Sequence, residues 1–258
     1  MGFKASHFVL VHGAGHGAWG WVRIVAALEK AGHRATAVDL TSAGDNTESA
    51  DDITSLAEYS RPLENLFKSL PEDEKVILVA HSLGGMSAGV ITEMFPRKIS
   101  VAVYIAAFMP STGINYLQLK ATHAEFMQTG DRKMLLHSKV QGGPITSMEF
   151  PSERVRRSLY NKCSDEDFAF AAPRLKRFPT VVNIFQPITT TAENYGTVPR
   201  IYVLALHDRP INPPSARIIM KLNPPNEAYE IDADHSLFFS AVEDVMKILS
   251  DAAVKYDA

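Results

Sequence analysis

Apolar residues in this chain gather in short runs separated by longer amphipathic stretches. Six runs rich in β-branched residues read as strands of a buried parallel sheet. They are His7–His12 (HFVLVH), Arg34–Asp39 (RATAVD), Lys75–Ala80 (KVILVA), Ser100–Ala106 (SVAVYIA), Arg200–Leu206 (RIYVLAL) and Glu227–Asp232 (EAYEID). Several stretches between them carry the helical period. Ala18–Ala31 stops before Gly32, and Asp52–Leu70 sets Ile53, Leu56, Leu63, Leu66 and Phe67 on one face, with Pro62 expected to kink it. Leu83–Phe95 stops before Pro96, Ser215–Leu222 stops before Pro224 and Pro225, and Ala241–Tyr256 follows the last strand. Strand–helix alternation of this kind predicts an α/β fold with a mainly parallel sheet.

The rhythm fails between Pro110 and Val182, where helix and turn signals dominate. This stretch reads as an insertion, a lid over 110–182 on a core made of 1–109 and 183–258. It contains two basic clusters, Arg154–Arg157 (RVRR) and Arg174–Arg177 (RLKR), expected to form a solvated face.

Composition narrows the choice of partner. With 258 residues, 46% of them apolar, the chain is sized for one large domain with an inserted lid. A net charge of −3 and a pI near 6.3 offer no basic excess for nucleic acid or anionic lipid. No apolar run reaches the roughly 18 residues of a spanning helix, and MGFKASH lacks the apolar stretch of a signal peptide. The lone Cys163 excludes an intrachain disulfide and a cysteine-based zinc cluster, and fits a reducing compartment. The expected location is the cytoplasm. Gly2 and Ser6 match the M-G-x-x-x-[ST] myristoylation pattern, although a strand starting at His7 leaves little free tail.

Two motifs carry candidate chemistry. The first is Val11–Ala18, VHGAGHGA. Gly13, Gly15 and Ala18 satisfy G-x-G-x-x-G/A, and Asp39 stands about 20 residues further on, where a ribose-binding acid belongs. Tyr116 and Lys120 add a Y-x-x-x-K, as in short-chain dehydrogenases, but inside the lid rather than on a core helix. The last glycine of the short-chain dehydrogenase loop is also missing, because Gly17 is followed by Ala18 and Trp19.

The second motif is Ala80–Gly85, AHSLGG, at the end of a strongly apolar strand and the start of a helix. That is the context of the nucleophile elbow G-x-S-x-G, with Ala80 in place of the first glycine. Ser82 would stand at a sharp strand-to-helix turn, near a helix N-terminus that stabilises an anion. A serine needs a base to take its proton, and on this fold the order is Ser, acid, His. After Ser82 come His123, His137, His207 and His235. His123 and His137 fall in the lid, and His207 abuts the best acid. His235, just past the last strand, is the expected base. Asp208, directly after RIYVLAL, is the expected acid, since Asp232 and Asp234 lie too close in sequence to His235. The oxyanion needs N–H donors: Leu83, following the nucleophile, and Ala14 in the glycine loop. His12 and His16 read as residues that hydrogen-bond this loop.

HFVLVHGAGHGAWGW, EKVILVAHSLGGM, AVYIAAFMP, the run CSDED at Cys163–Asp167, RIYVLALHD and DADHS occur in this order. Together they resemble the plant methylesterase and α-hydroxynitrile lyase family of α/β-hydrolases, over nearly the whole chain. The resemblance implies an α/β-hydrolase fold with a small lid over an apolar pocket, and neither cofactor nor metal. It implies hydrolysis of methyl esters of small plant acids, or cleavage of cyanohydrins. Lyases of this family carry Thr or Asn where this chain has Gly13, and the best known of them carry Lys where it has Ser236. Both differences favour the esterase, although many methylesterases have Met at the position of Ser236. By the same resemblance Phe108, Met148 and Phe150 line the acyl pocket, and Ser236 adds a polar contact. The expected partner is a small-molecule ester, with a homodimer left open. A ligand-binding receptor on the same fold is the remaining alternative.

Overall fold

A computed structural model of the chain describes residues 5–111, 134–180 and 188–256. Gly2, Tyr116, Lys120 and His123 lie outside them. The core is a six-stranded parallel sheet of β1 (His7–Val11), β2 (Arg34–Val38), β3 (Val76–His81), β4 (Ile99–Ile105), β8 (Arg200–Ala205) and β9 (Glu227–Ile231), in the order β2-β1-β3-β4-β8-β9. All six expected strands form. β1, β3 and β4 are buried at every position, whereas edge strands β2 and β9 are only partly buried. A strand covered on both faces is apolar throughout, which is why the central runs are so legible.

Alternate residues feed two cores. Val9, Val11, Leu78 and Ala80 face α2 (Leu56–Ser69), α3 (Gly84–Met94) and α6 (Pro213–Leu222). Phe8, Leu10, Ile77 and Val79 face α1 (Val22–Lys30), α7 (Leu237–Ser240) and α8 (Val242–Tyr256). The expected helix at Ala18–Ala31 is split, because Ala18–Trp21 is a 3-10 turn and the α-helix starts at Val22. The helix expected from Asp52 starts at Leu56, where the Ser55 hydroxyl caps the Glu58 N–H at 3.1 Å. Pro62 sits inside α2 and denies the Glu58 carbonyl its helical donor. The Thr41 hydroxyl supplies one instead, at 2.6 Å.

Between β4 and β8 the expectation of helices and turns needs correction. Beside α4 (Ser152–Ser158) and α5 (Asp165–Ala171) lies an antiparallel sheet of β5 (Leu135–His137), β6 (Ser147–Glu149) and β7 (Phe178–Pro179). Strands of two or three residues are too short to show an alternating pattern. The basic clusters are not a uniform solvated face either. Arg154 is buried, with its guanidinium 6.0 Å from the Phe150 ring. No helix among the described residues is long and apolar enough to cross a membrane.

β1 is the switch point of the sheet, since the chain passes to β2 on one side and β3 lies on the other. Ligands in open α/β sheets bind at such a crevice, outside the carboxyl ends of the strands. The loop after β1 is closed by Asp39. Its Oδ1 accepts the Ala18 N–H at 2.6 Å and its Oδ2 the Asp45 N–H at 2.9 Å. Asp39→Ala strands the half-buried Ala18 N–H and leaves Asp45 to water, at an expected cost of about 1–3 kcal/mol, read as a lower urea midpoint at unchanged slope.

Candidate active site

β3 ends at His81, and the next residue turns sharply. Ser82 adopts φ +52°, the left-handed region that ordinary side chains avoid at a cost of about 1–3 kcal/mol. The turn is held on both sides. The Ser82 N–H donates to the Ile105 carbonyl at 3.4 Å, while the Ser82 carbonyl accepts from Gly85 at 3.1 Å and Phe108 at 3.0 Å. A Cβ at Gly84 would meet the His12 carbonyl at 2.4 Å, and one at Gly85 the Phe108 carbonyl at 1.9 Å. The chain can pack this tightly around Ser82 only because both residues are glycine.

The Ser82 hydroxyl donates to His235 Nε2 at 2.9 Å, and His235 Nδ1–H donates to Asp208 Oδ2 at 2.8 Å. The sheet brings His235 and Asp208 together by extending the β8–β9 pairing past the strand ends. Leu206 N–H donates to Ile231 and His207 N–H to Ala233, both at 2.9 Å. The other Asp208 oxygen accepts the Ile211 N–H at 2.8 Å. Burial pushes the Asp208 carboxyl above its usual range, against the opposing pull of His235 and that N–H. Ser82 keeps 9% of its surface open, against 2% for His235 and 3% for Asp208, so the serine is the most accessible of the three.

A serine, a histidine and an aspartate in this chain order, at a strand-to-helix elbow, is the hydrolase arrangement. Residues 8–248 match the alpha/beta hydrolase family. The chain is similar to methyl jasmonate esterase 1 of Vitis vinifera, 39% identical over 98% of each chain. It is also similar to salicylic acid-binding protein 2 of Nicotiana tabacum, 35% identical over 98% of this chain and 99% of that one. Among solved structures, tomato methylketone synthase I superposes with a TM-score of 0.91 at 31% identity, over 98% of this chain and all of the other. The chain belongs to the alpha/beta hydrolase family.

Two backbone donors of this hydrolase are unclaimed. Among the described residues neither the Ala14 nor the Leu83 N–H has a hydrogen-bond acceptor. Gly13 brings their loops together. A Cβ there would lie 2.7 Å from the Ser82 Cβ and 2.8 Å from His81 Nδ1. Ala14, Leu83, Phe108, Met148 and Phe150 belong to one packed apolar cluster. The Phe150 ring lies over Gly15 and packs 5.2 Å from Phe178. Ser236 is wholly buried, its N–H on Asp234 at 3.0 Å and its side chain beside the Tyr160 hydroxyl.

The hydrolase also uses residues that sequence reasoning passed over. Asp234, set aside as a catalytic acid, is a knot. Its Oδ1 accepts from the Ser236 N–H and the Ser240 hydroxyl, and its Oδ2 from the N–H groups of Lys162 and Cys163. It thereby ties the CSDED segment to the loop that carries His235. The signal was present, as an acid adjoining the histidine in DADHS. His81 Nε2–H donates to the His235 carbonyl at 2.8 Å and its ring lies 4.6 Å from the His235 ring. Burial first, then neighbouring His235 and His16, hold His81 well below the usual histidine range. Burial likewise lowers His16 to about 3.

Gly13→Ala is expected to displace the nucleophile and reduce kcat/KM by about 100-fold, measured on a fluorogenic ester alongside the unfolding midpoint, which should move far less. The histidines set an acid limit on stability. Unfolded, each takes a proton near pH 6.5, while folded His16 does so only near 3. The unfolded chain therefore binds more protons in that window. Stability is full above about pH 6.5 and falls as pH drops, by up to about 1.4 kcal/mol per pH unit for each such histidine. Urea titrations at pH 7.5 and 5 should show it, and His16→Gln should flatten the slope.

Proposed function

We propose that the protein is a serine carboxylesterase acting on methyl esters of small acids, with the 110–182 segment as a lid over its acyl pocket. The observation that carries this reading is the relay from Ser82 through His235 to Asp208, with distances of 2.9 and 2.8 Å, on an elbow held at φ +52°. The names of its relatives, methyl jasmonate esterase and salicylic acid-binding protein, support a small acid as the acyl group. The buried free thiol of Cys163 is in keeping with a cytosolic location.

Ser82 Oγ attacks the ester carbonyl carbon while its proton passes to His235 Nε2. Asp208 holds Nδ1 protonated and stabilises the imidazolium. The N–H groups of Ala14 and Leu83 receive the oxyanion, at the N-terminal end of α3. The tetrahedral adduct collapses, the C–O bond to the alcohol breaks, and the alkoxide leaves with the proton from His235. Water then attacks the acyl-enzyme, gives a proton to His235, and the acid departs as that proton returns to Ser82. Phe108, Met148 and Phe150 supply apolar contact to the acyl group.

The cyanohydrin-lyase alternative loses ground at Gly13. The threonine or asparagine that the lyases carry there would place its Cβ 2.7 Å from the Ser82 Cβ of this backbone.

Ser82→Ala should lower kcat for ester hydrolysis by more than about 10⁴-fold while leaving the fold intact. The assay is a panel of methyl esters of small aromatic and lipid-derived acids beside mandelonitrile. Near wild-type turnover in that variant, or faster cyanide release than ester cleavage in the wild type, would sink the reading.

A further inference from the structure

The Gly13–Ala14 peptide is held from its carbonyl side. Gly13 O accepts from the His12 ring at Nδ1, 2.8 Å away, and from the His16 N–H at 3.2 Å. The next two carbonyls are also taken. Ala14 O accepts from His16 Nδ1 at 2.9 Å, and Gly15 O from the N–H of Lys176, in the 110–182 segment, at 2.9 Å. A trans peptide is planar, and its N–H points opposite to its carbonyl. Fixing the direction of Gly13 O therefore fixes the direction of the Ala14 N–H, away from the His12 ring.

The His12 ring can play this part in only one proton arrangement. The Leu40 N–H donates to Nε2 at 3.1 Å, so Nε2 is an acceptor and the single ring proton sits on Nδ1. Burial lowers the pKa of this ring and keeps it neutral. Leu40 directly follows β2 and Asp39. The ring thus stands between the backbone past β2 and the loop past β1, and presents a donor to one peptide. A carbonyl that accepts a hydrogen bond polarises its own amide, making the N–H on the other side a stronger donor.

We propose that His12 is the positioning residue of the oxyanion hole, aiming and polarising the Ala14 N–H through the Gly13 carbonyl. This inference rests on the esterase reading for its substrate, but not for its geometry. His12 touches no reacting atom. Its effect falls on the transition state, where negative charge develops, and spares ground-state binding.

Two substitutions separate this role from packing. Asn at position 12 places an amide donor near the position of Nδ1. Gln places its amide near Nε2 and leaves Gly13 O without the ring donor. With 4-nitrophenyl acetate, His12→Gln should lower kcat by about 30-fold with KM changed less than about twofold. His12→Asn should recover to within about threefold of wild type. Equal losses in the two variants, or a loss that lies in KM, would overturn the proposal. A second measurement needs no variant. Nitrogen-15 NMR of the wild-type His12 ring should show the proton on Nδ1 at pH 7, and a proton on Nε2 would overturn the pin. The tautomer result stands whatever the substrate, whereas absence of ester turnover in the wild type would overturn the esterase reading instead.

Discussion

The site depends on one backbone torsion, the φ of +52° at Ser82. A residue held there needs surroundings that leave it no alternative. Here they are the β3–β4 pairing, which receives the Ser82 N–H, and the backbone after β4, whose Phe108 N–H takes the Ser82 carbonyl. The close packing that enforces the turn also serves the chemistry. The same reversal lifts the hydroxyl out of the sheet, leaves the Leu83 N–H without a partner among the described residues, and starts α3 two residues on. Because Gly13 packs against the Ser82 Cβ, Ser82 and the loop after β1 cannot be displaced independently.

His235 and Asp208 are placed by a different device. They stand on separate loops, and what joins those loops is backbone pairing carried beyond β8 and β9. Asp234 then fastens the His235 loop to Lys162 and Cys163, so the described part of the segment between β4 and β8 is bonded to that loop. It reaches the loop after β1 too, through the Lys176 N–H on the Gly15 carbonyl. The three catalytic candidates come from separate strand ends. The inserted segment contributes hydrogen bonds that hold the loops bearing them.

The parts of this arrangement legible in the sequence are those imposed by topology. Central strands are covered on both faces and read as unbroken apolar runs, so β1, β3, β4 and β8 were plain. That Ser82, Asp208 and His235 meet was legible because a parallel sheet delivers its strand ends to one edge, in a fixed chain order. What escaped the sequence depends on contacts that have no period. β5, β6 and β7 are too short for alternation to register. Arg154 sits in a cluster of like charges yet is buried, because tertiary packing, not local composition, decides which face of α4 is covered. The start of α2 followed the Ser55 cap rather than the onset of apolar residues.

The glycine loop shows why a motif needs its surroundings. A dinucleotide fold and this hydrolase share a first strand, a run of glycines and exposed N–H groups. In the dinucleotide fold the pyrophosphate sits at the N-terminus of the helix that follows. Here the helical segment after the loop opens as a 3-10 turn, and the Ala18 N–H at its start is already bound by Asp39. The acid that matched a ribose-binding position therefore occupies, as an internal anion, the seat a phosphate would need. What stays open among the described residues lies earlier in the loop, at the Ala14 N–H, and across from it at the Leu83 N–H. Two separate donors on either side of Gly13 fit the proposed oxyanion hole, whereas the pyrophosphate reading needs the helix N-terminus that Asp39 already holds.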